Sequence, residues 1–264
     1  MATRLTALVE RGWRVIATGI AFTTFGLGGL ALWLVYFPLL DLRVRDASRK
    51  SRLARAMVRR TFAIFVEWMR VLGILDYRVD GAEKLKREGL LILANHPTLI
   101  DVVFLVSLVD NADCVVNARR ARNPFMRGPI GAANYISNDS GAGLVEDCIR
   151  SLRDGGNLLI FPEGTRTPED GTVRLQRGAA NIAVRGRVAV TPVLIDCTPR
   201  SLTKGLPWWR VPPSRMRFSI AVRDDIAVQP FLDAAHGEPA LASRRLTDHL
   251  QNYFATEKPA HAGA

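Results

Sequence analysis

Residues 90–109 read LLILANHPTLIDVVFLVSLV, and this stretch indicates the fold of the chain. Its first part is a short apolar run of the kind that forms strands, and its second part is long and apolar enough for a helix. Pro97 lies between them, and a helix tolerates proline in its first turn because the N–H groups there have no partner within the helix. The stretch therefore predicts a strand followed by a helix from about Thr98 to Val109.

The same alternation of strand and helix continues along the chain. Further strands are predicted at DYRVDG, DCVVN, NYIS, NLLIF, VAVTPVLID and RMRFSIAV. Helices are predicted at GLVEDCIRSLRDGG, RGAANIAVRGR and EPALASRRLTDHLQNYFATE. Strands that alternate with helices indicate an α/β fold, and we expect a single sandwich domain with a mixed, largely parallel sheet flanked by helices.

An uncharged run of 26 residues, Val15–Leu40, precedes this domain. About 20 apolar residues suffice for a helix that crosses a bilayer, and aromatic residues near both ends of the run suit the headgroup region. A signal peptide usually has a shorter apolar region, of about 7–15 residues, and a cleavage site of small residues. A buried core helix is seldom so long and so free of charge. We therefore expect an N-terminal membrane helix over residues 15–40.

The formal net charge of +11 is concentrated directly after this run. Residues 43–60 contain one acid, Asp46, and eight basic residues, which are Arg43, Arg45, Arg49, Lys50, Arg52, Arg55, Arg59 and Arg60. Basic residues beside a hydrophobic span mark the cytoplasmic side and attract anionic headgroups. We expect the protein in the inner cell membrane, with membrane lipids as partners and the folded domain on the cytoplasmic side. No zinc-finger or RNA-binding signature is present, so a nucleic-acid partner is not expected.

The stretch that follows, residues 57–73, has helical periodicity, with one face formed by Met57, Thr61, Ile64, Trp68 and Leu72. Two interpretations stay open for it: an amphipathic helix in the membrane interface, or a surface helix packed on the domain. We divide the chain into a membrane anchor and basic amphipathic helix at 1–73, an α/β domain at 74–257 and a flexible tail at 258–264. The three cysteines have no paired spacing and are expected to be reduced and buried, without a metal or disulfide role.

Polar residues follow two of the predicted strands. Asn95, His96 and Asp101 come after LLILA, and FPEGTRT, residues 161–167, comes after NLLI. The carboxyl ends of parallel strands meet at one edge of an open α/β sheet, which is the usual place for a ligand. A lone His-to-Asp spacing would by itself fit an ordinary strand-to-helix turn, but two polar motifs at two strand ends predict a shared crevice.

His96 and Asp101 are candidates for a general base and the residue that orients it. Asp101 follows little more than one helical turn later, close enough to hold the imidazole in one tautomer. A histidine held in this way can accept a proton near neutral pH. The nucleophile motif G-x-S-x-G is absent from the sequence, so we expect the attacking group to be a substrate hydroxyl.

Gly164 and Arg166 are candidates for binding an anion. Glycine allows the backbone to approach a ligand closely, and the guanidinium is a forked donor that matches phosphate or carboxylate. The alternative is a surface turn closed by an ion pair between Glu163 and Arg166.

Together the two motifs resemble those of the glycerolipid acyltransferases, typified by the 1-acyl-glycerol-3-phosphate acyltransferases. The N-H-x4-D motif of that family matches residues 95–101, and its F-P-E-G-[ST]-R motif matches residues 161–166. Its V-P-[VIA] element is similar to VTPVLI, and the resemblance covers roughly Val79 to Val222. It implies a membrane-bound O-acyltransferase that moves a fatty acyl group from acyl-CoA or acyl carrier protein to a hydroxyl of a lysophospholipid such as 1-acyl-glycerol-3-phosphate.

The resemblance also implies roles for individual residues. His96 is then the general base and Asp101 orients it. The substrate is then bound by residues of both motifs, namely Asn95, Glu163, Gly164, Thr165 and Arg166. No metal or organic cofactor is expected beyond the thioester donor.

One part of the family pattern differs here. Between the two motifs the family has G-x-x-[FI]-[IVL]-x-R, whose arginine is associated with the acceptor phosphate, whereas AANYISND places Asn138 at that position. Asn138 is a candidate substrate contact, and replacement charge could come from Arg119, Arg120, Arg122 and Arg127. Two alternatives therefore stay open: the same acyl transfer to a non-phosphate lipid or glycolipid, and a non-catalytic adaptor that binds anionic membranes.

Overall fold

The computed structural model of the protein describes residues 2–116, 131–137, 143–168, 172–203, 207 and 209–257. Within them, seven strands form one sheet in the order β1-β7-β6-β2-β5-β3-β4. The strands are β1 (Leu75–Asp80), β2 (Leu91–Ala94), β3 (Ala112–Val116), β4 (Ile136–Ser137), β5 (Asn157–Ile160), β6 (Val190–Thr198) and β7 (Met216–Val222). Each strand overlaps a segment whose sequence predicts one, and β1, β3 and β6 extend one or two residues beyond the predicted bounds.

The sheet is mixed but largely parallel, as predicted. β2 is parallel to its neighbours β5 and β6, and β3 is parallel to β5 and β4. β7 is antiparallel to β6, and β1 is parallel to β7. The amino-terminal ends of β1 and β7 therefore lie at the same edge of the sheet as the carboxyl ends of the other five strands.

Helices cover both faces of the sheet. One face packs against α1 (Ala2–Ala31), α3 (Ala47–Val71) and α4 (Asp101–Leu108). A π-helical segment (Leu32–Tyr36) joins α1 directly to α2 (Phe37–Arg43), and a short 3-10 helix (Ala82–Leu85) follows β1. The other face packs against α5 (Leu144–Arg153), α6 (Gly178–Gly186), α7 (Gln229–Ala234) and α8 (Pro239–Thr256).

The N-terminal helices form a hairpin that packs on the sheet. The Asp46 carboxylate accepts a hydrogen bond from the backbone N–H of Arg49 at 2.6 Å and so caps the start of α3. Phe25 of α1 packs against Phe62 and Phe65 of α3, with ring centroids 5.8 and 5.0 Å apart. Because these side chains belong to the same hydrophobic core as the sheet, the hairpin covers the sheet face rather than standing apart from it.

The run predicted as a membrane helix lies within one long helix. In the described part of the chain, Val9–Arg43 is the single helix that is long and apolar enough to cross a membrane. One side of it is buried in the core at Ala17, Ala21, Phe37 and Leu40. The other side exposes large apolar residues, namely Ile16, Ile20, Leu27, Leu34, Val35, Leu39 and Leu42.

The stretch 57–73, most of which lies in α3, packs on the domain with one face. The buried residues of α3 are Ala54, Val58, Phe62, Phe65, Val66 and Met69. Of the face that the sequence grouped together, Leu72 is buried, whereas Ile64 and Trp68 are exposed. The helix therefore has an apolar inner face and also leaves apolar side chains on the outside.

Part of the basic cluster at 43–60 serves the fold. Arg55 forms an ion pair with Asp113 at 2.8 Å, and the two side chains are only 10% and 2% exposed. Arg59 pairs with Asp110 at 3.0 Å. These two arginines therefore contribute less to a positive surface than the sequence indicates.

The remaining sequence predictions concern the cysteines and the tail. Cys114, Cys148 and Cys197 are free and buried, and burial raises the pKa of Cys148 and Cys197 to about 12. Such thiols stay protonated and unreactive at neutral pH. The predicted tail, residues 258–264, lies outside the described residues.

Candidate active site

His96 and Asp101 form a buried pair at the carboxyl end of β2. The Nδ1 atom of His96 lies 2.8 Å from Oδ2 of Asp101, and the side chains are 6% and 0% exposed. Asp101 also accepts hydrogen bonds from the backbone N–H of Thr98 at 2.6 Å and from its hydroxyl at 2.5 Å. Asp101 is the first residue of α4, so the start of the helix fixes the carboxylate beside the imidazole.

This geometry selects one tautomer of the imidazole. Burial raises the pKa of Asp101, while the hydrogen bonds from His96 and Thr98 act in the opposite direction. When the Asp101 carboxylate is ionised it can only accept, so the neutral imidazole then carries its proton on Nδ1 and a lone pair on Nε2. A histidine in this form can take a proton from a hydroxyl placed beside Nε2.

Glu163 connects the second motif to the backbone of His96. Its Oε1 atom accepts hydrogen bonds from the His96 N–H at 3.0 Å and from the Thr167 hydroxyl at 2.7 Å. The N–H of Thr167 in turn donates to the carbonyl of His96 at 2.8 Å. The two motifs thus meet as expected from the pairing of β2 with β5, and Oε1 of Glu163 is directed toward the backbone of His96. The predicted contact of Glu163 with substrate stays a prediction.

Asn95 connects the end of β2 to the neighbouring strand β6. Its amide nitrogen donates to the carbonyl of Ile195 at 2.8 Å, and its amide oxygen accepts from the N–H of Ile195 at 2.7 Å. The side chain thereby continues the ladder between the two strands where the backbone of β2 turns away. Both polar atoms of the amide are engaged in this contact.

The remaining residues of the second motif lie at the edge of the site. Gly164 has a φ of +68°, which favours glycine, and both Gly164 and Thr165 border the cavity described below. Arg166 directs its Nη1 atom to the carbonyls of Leu202 and Thr203, each at 2.8 Å. This nitrogen of Arg166 therefore holds the 202–203 loop beside the site.

Three predicted site residues, Arg119, Arg120 and Asn138, lie outside the described residues. The two further arginines named as possible sources of charge, Arg122 and Arg127, also lie outside. Their proposed contacts with substrate stay predictions. Among the described residues, no group of three or more His, Cys, Asp or Glu side chains is arranged to hold a metal ion.

A cavity of about 640 Å³ opens beside the ring of His96. Cavities of roughly 300–1,000 Å³ are the size that proteins use for small organic ligands. Its walls are mostly apolar and are formed by α1, α3, α4 and the ends of the central strands; they include Phe22, Phe25, Phe62, Phe65, Val103 and Leu159. The ring of Phe161 stacks on His96 with centroids 4.4 Å apart, so the imidazole faces an apolar space.

The structure also places residues at the cavity that the sequence analysis did not select. Arg14, Thr18 and Tyr135 line it, and the hydroxyl of Tyr135 is buried without a hydrogen-bond partner among the described residues. A signal for Arg14 exists in the sequence. Together with Ala17, Thr18 and Ala21 it follows the i, i+3, i+4, i+7 spacing of one helix face.

Comparison with known proteins agrees with these features. Residues 76–196 match the sequence model of the family described as acyltransferase. A Caenorhabditis elegans protein provisionally named 1-acyl-sn-glycerol-3-phosphate acyltransferase is 32% identical over 148 residues, which are 51% of this chain and 50% of that protein. The 1-acyl-sn-glycerol-3-phosphate acyltransferase of Pseudomonas aeruginosa is 25% identical over 180 residues, 66% of each chain. The chain thus spans about half to two thirds of the length of these relatives.

A solved structure shares the fold. The crystal structure of the 1-acyl-sn-glycerophosphate acyltransferase PlsC from Thermotoga maritima superposes on this chain with a TM-score of 0.65. The match covers 96% of this chain and 99% of that one, at 17% sequence identity. At this identity the likeness concerns the fold alone. Residues 76–196, which carry both motifs and the His96–Asp101 pair, are thus similar to the acyltransferase family.

Proposed function

We propose that this protein transfers a fatty acyl group from acyl-CoA or acyl carrier protein to a hydroxyl of a lysophospholipid such as 1-acyl-glycerol-3-phosphate. The observation that carries the proposal is the His96–Asp101 pair, whose imidazole borders an apolar cavity. An oriented histidine supplies a base, and an apolar cavity of this size suits a fatty acyl chain. The names of the relatives give the acceptor class.

The proposed reaction needs one base and no protein nucleophile. Nε2 of His96 takes the proton of the acceptor hydroxyl while the hydroxyl oxygen attacks the carbonyl carbon of the thioester. Asp101 stabilises the imidazolium that forms, because a carboxylate accepting from Nδ1 favours the charged ring. The tetrahedral intermediate then collapses, the C–S bond breaks, and the leaving thiolate takes the proton from His96. An ester and a free thiol result, and His96 returns to its starting state.

The proposed location is the cytoplasmic side of the inner cell membrane. The exposed apolar side of the helix Val9–Arg43 supports attachment to a membrane, because such a surface is costly in water and favourable in lipid. The basic residues at 43–60 support the cytoplasmic side. The acceptor and the product are both lipids in the proposed reaction. A site bordered by α1 would therefore be close to the phase in which its substrates dissolve.

The test is substitution of the proposed base. His96→Ala is expected to lower acyl transfer by about 10²–10⁴-fold without changing folding or membrane attachment, since base catalysis contributes about this much. The matched control is His249→Ala, because His249 is exposed on α8 and packs against Phe231 on the other face of the sheet. Transfer is measured with labelled acyl-CoA and acyl carrier protein. Near-normal turnover by the His96 variant would end the proposed mechanism.

Substitution of Asp101, the residue that orients His96, provides a second test. Asp101→Asn presents an amide to Nδ1, and an amide that donates there holds the imidazole in the wrong tautomer. Transfer is expected to fall by a similar factor while binding of the lipid acceptor persists. A wild-type kcat in the Asp101→Asn variant would show that orientation by the carboxylate is not needed.

A further inference from the structure

Arg14 is a buried cation in the wall of the cavity. The residue lies on α1 and is only 9% exposed. Its Nη2 atom donates to the carbonyl of Pro213 at 2.5 Å, and its Nη1 atom lies 3.5 Å from Oε2 of Glu10. Its Nε atom is buried and has no hydrogen-bond partner among the described residues.

The charge of Arg14 is poorly compensated within the protein. The Glu10 side chain is 69% exposed, so solvent screens its attraction for the guanidinium. A buried charged group that lacks partners is costly, and a buried donor without an acceptor adds to that cost. Such a group is stabilised when an anion enters the cavity and accepts its hydrogen bonds.

Arg14 lies at the same edge of the sheet as His96. Its carbonyl partner Pro213 shortly precedes β7, and the adjacent Trp13 donates from Nε1 to the carbonyl of Leu72, shortly before β1. The amino-terminal ends of these two strands share an edge with the carboxyl end of β2. Among the described residues that line the cavity, Arg14 is the only lysine or arginine.

We propose that Arg14 binds the phosphate of the lipid acceptor and makes the site selective for an anionic headgroup. This inference rests on the proposed function, which brings a phosphate-bearing lipid to the cavity. A guanidinium can offer Nε and an Nη atom together to two oxygens of one phosphate. Arg14 thus supplies charge to a site whose sequence has Asn138 where the family pattern has arginine.

The test compares acceptors that differ in headgroup charge. In the full-length protein, Arg14→Gln should lower kcat/KM for lysophosphatidic acid by about ten- to a hundredfold, the value of one charge-assisted contact. The same variant should use monoacylglycerol, which is uncharged, as wild type does. Arg14→Lys should recover part of the activity toward lysophosphatidic acid. The matched control is Arg11→Gln, which removes the same charge from an exposed position on the same helix.

Three outcomes would overturn the inference. Equal losses with both acceptors would mean that Arg14 only secures α1 to the Pro213 carbonyl. A rise in the KM of the thioester donor alone would assign the phosphate to the donor. Unchanged kinetics of Arg14→Gln with lysophosphatidic acid would show that Arg14 binds no phosphate at all.

A binding measurement separates this inference from the proposed function. Binding of lysophosphatidic acid is measured in the His96→Ala protein without a thioester, with and without Arg14→Gln. Weaker binding in the double variant, by about ten- to a hundredfold, supports the role of Arg14 even if wild type acylates no lipid. Equal binding overturns that role even if wild type is an active acyltransferase.

Discussion

At the scale of single residues, the site is held together by contacts to the backbone of His96. Glu163 accepts from its N–H, and Thr167 donates to its carbonyl. Both contacts bridge more than 60 residues of sequence, and they set the backbone while Asp101 sets the ring. Glu163, the acid of the second motif, therefore holds the backbone of His96 in position.

Replacing Glu163 with glutamine should change how the stability of the protein depends on pH. Burial raises the pKa of Glu163, so the folded protein binds this proton more tightly than the unfolded chain does. The free energy of unfolding of wild type therefore falls as pH rises from the unfolded value, about 4.3, through the higher folded value. Glutamine keeps the accepting Oε1 but cannot ionise. We expect the stability of the variant relative to wild type to increase as the pH rises above about 4.3.

Chemical denaturation across this pH range measures the difference. The exposed Glu88→Gln substitution is the control and should leave the pH dependence close to that of wild type. A Glu163 variant that becomes less stable relative to wild type as the pH rises would contradict the raised pKa. Such a result would show that the carboxylate is stabilised by its partners more than burial destabilises it.

At the scale of elements, α3 is joined to the sheet by a buried polar network. Arg55 donates to the carboxylate of Asp113, to the side chain of Asn111 and to the carbonyl of Ala133. Asp113 also accepts from the Ser151 hydroxyl at 2.6 Å, so the network connects α3, β3 and α5. Burial raises the pKa of Asp113, and the positive charge of Arg55 acts against that rise.

Replacing Arg55 with methionine should lower the stability of the protein. The substitution leaves the Asp113 carboxylate buried without its cation, which costs about 3–5 kcal/mol in comparable ion pairs. Arg52→Met removes an exposed arginine one turn earlier and should change stability by no more than about 0.5 kcal/mol. Denaturant unfolding in detergent measures both. Adding Asp113→Leu to the Arg55 variant should restore part of the loss, and a loss no larger than that of Arg52→Met would show that the pair contributes little.

At the scale of the whole molecule, an apolar surface and a group of exposed arginines follow each other along the N-terminal segment. The apolar side of the long N-terminal helix is followed by exposed arginines at 43, 45, 49 and 52. Attachment through the apolar surface is not weakened by electrostatic screening, whereas attraction between arginines and anionic lipid is screened within about 8–10 Å at physiological ionic strength. The two surfaces should therefore respond differently to extraction conditions.

Membrane attachment should depend on the apolar helix, and the preference for anionic lipid should depend on the arginines. The full-length protein should stay with membranes through high-salt and carbonate washes, because the apolar side of Val9–Arg43 supplies the attachment. Replacing Arg43, Arg45, Arg49 and Arg52 with glutamine should remove only the preference for anionic vesicles, by about 1 kcal/mol for each charge at low salt. Sedimentation with vesicles of neutral and anionic composition measures both. Release of wild type by salt or carbonate alone would contradict insertion of the helix.

Much of the fold and part of the site could be predicted from the sequence because the signals are local. Short apolar runs between helical stretches predict the strands, and the parallel order of most of them follows from the alternation with helices. The His96–Asp101 pair is also local, since five residues across a helix start suffice to place the two side chains together. The convergence of two motifs follows from the rule that ligands bind at the carboxyl ends of parallel strands.

Only the tertiary structure decides the contacts that join distant segments. No spacing in the sequence indicates that Glu163 accepts from the His96 backbone, or that Arg55 of a basic cluster pairs with Asp113 inside the protein. The direction in which Arg14 points depends on how α1 is rotated against the sheet, which packing determines. Secondary structure follows from patterns within one segment, whereas the partner of a buried charge depends on which segments folding brings together.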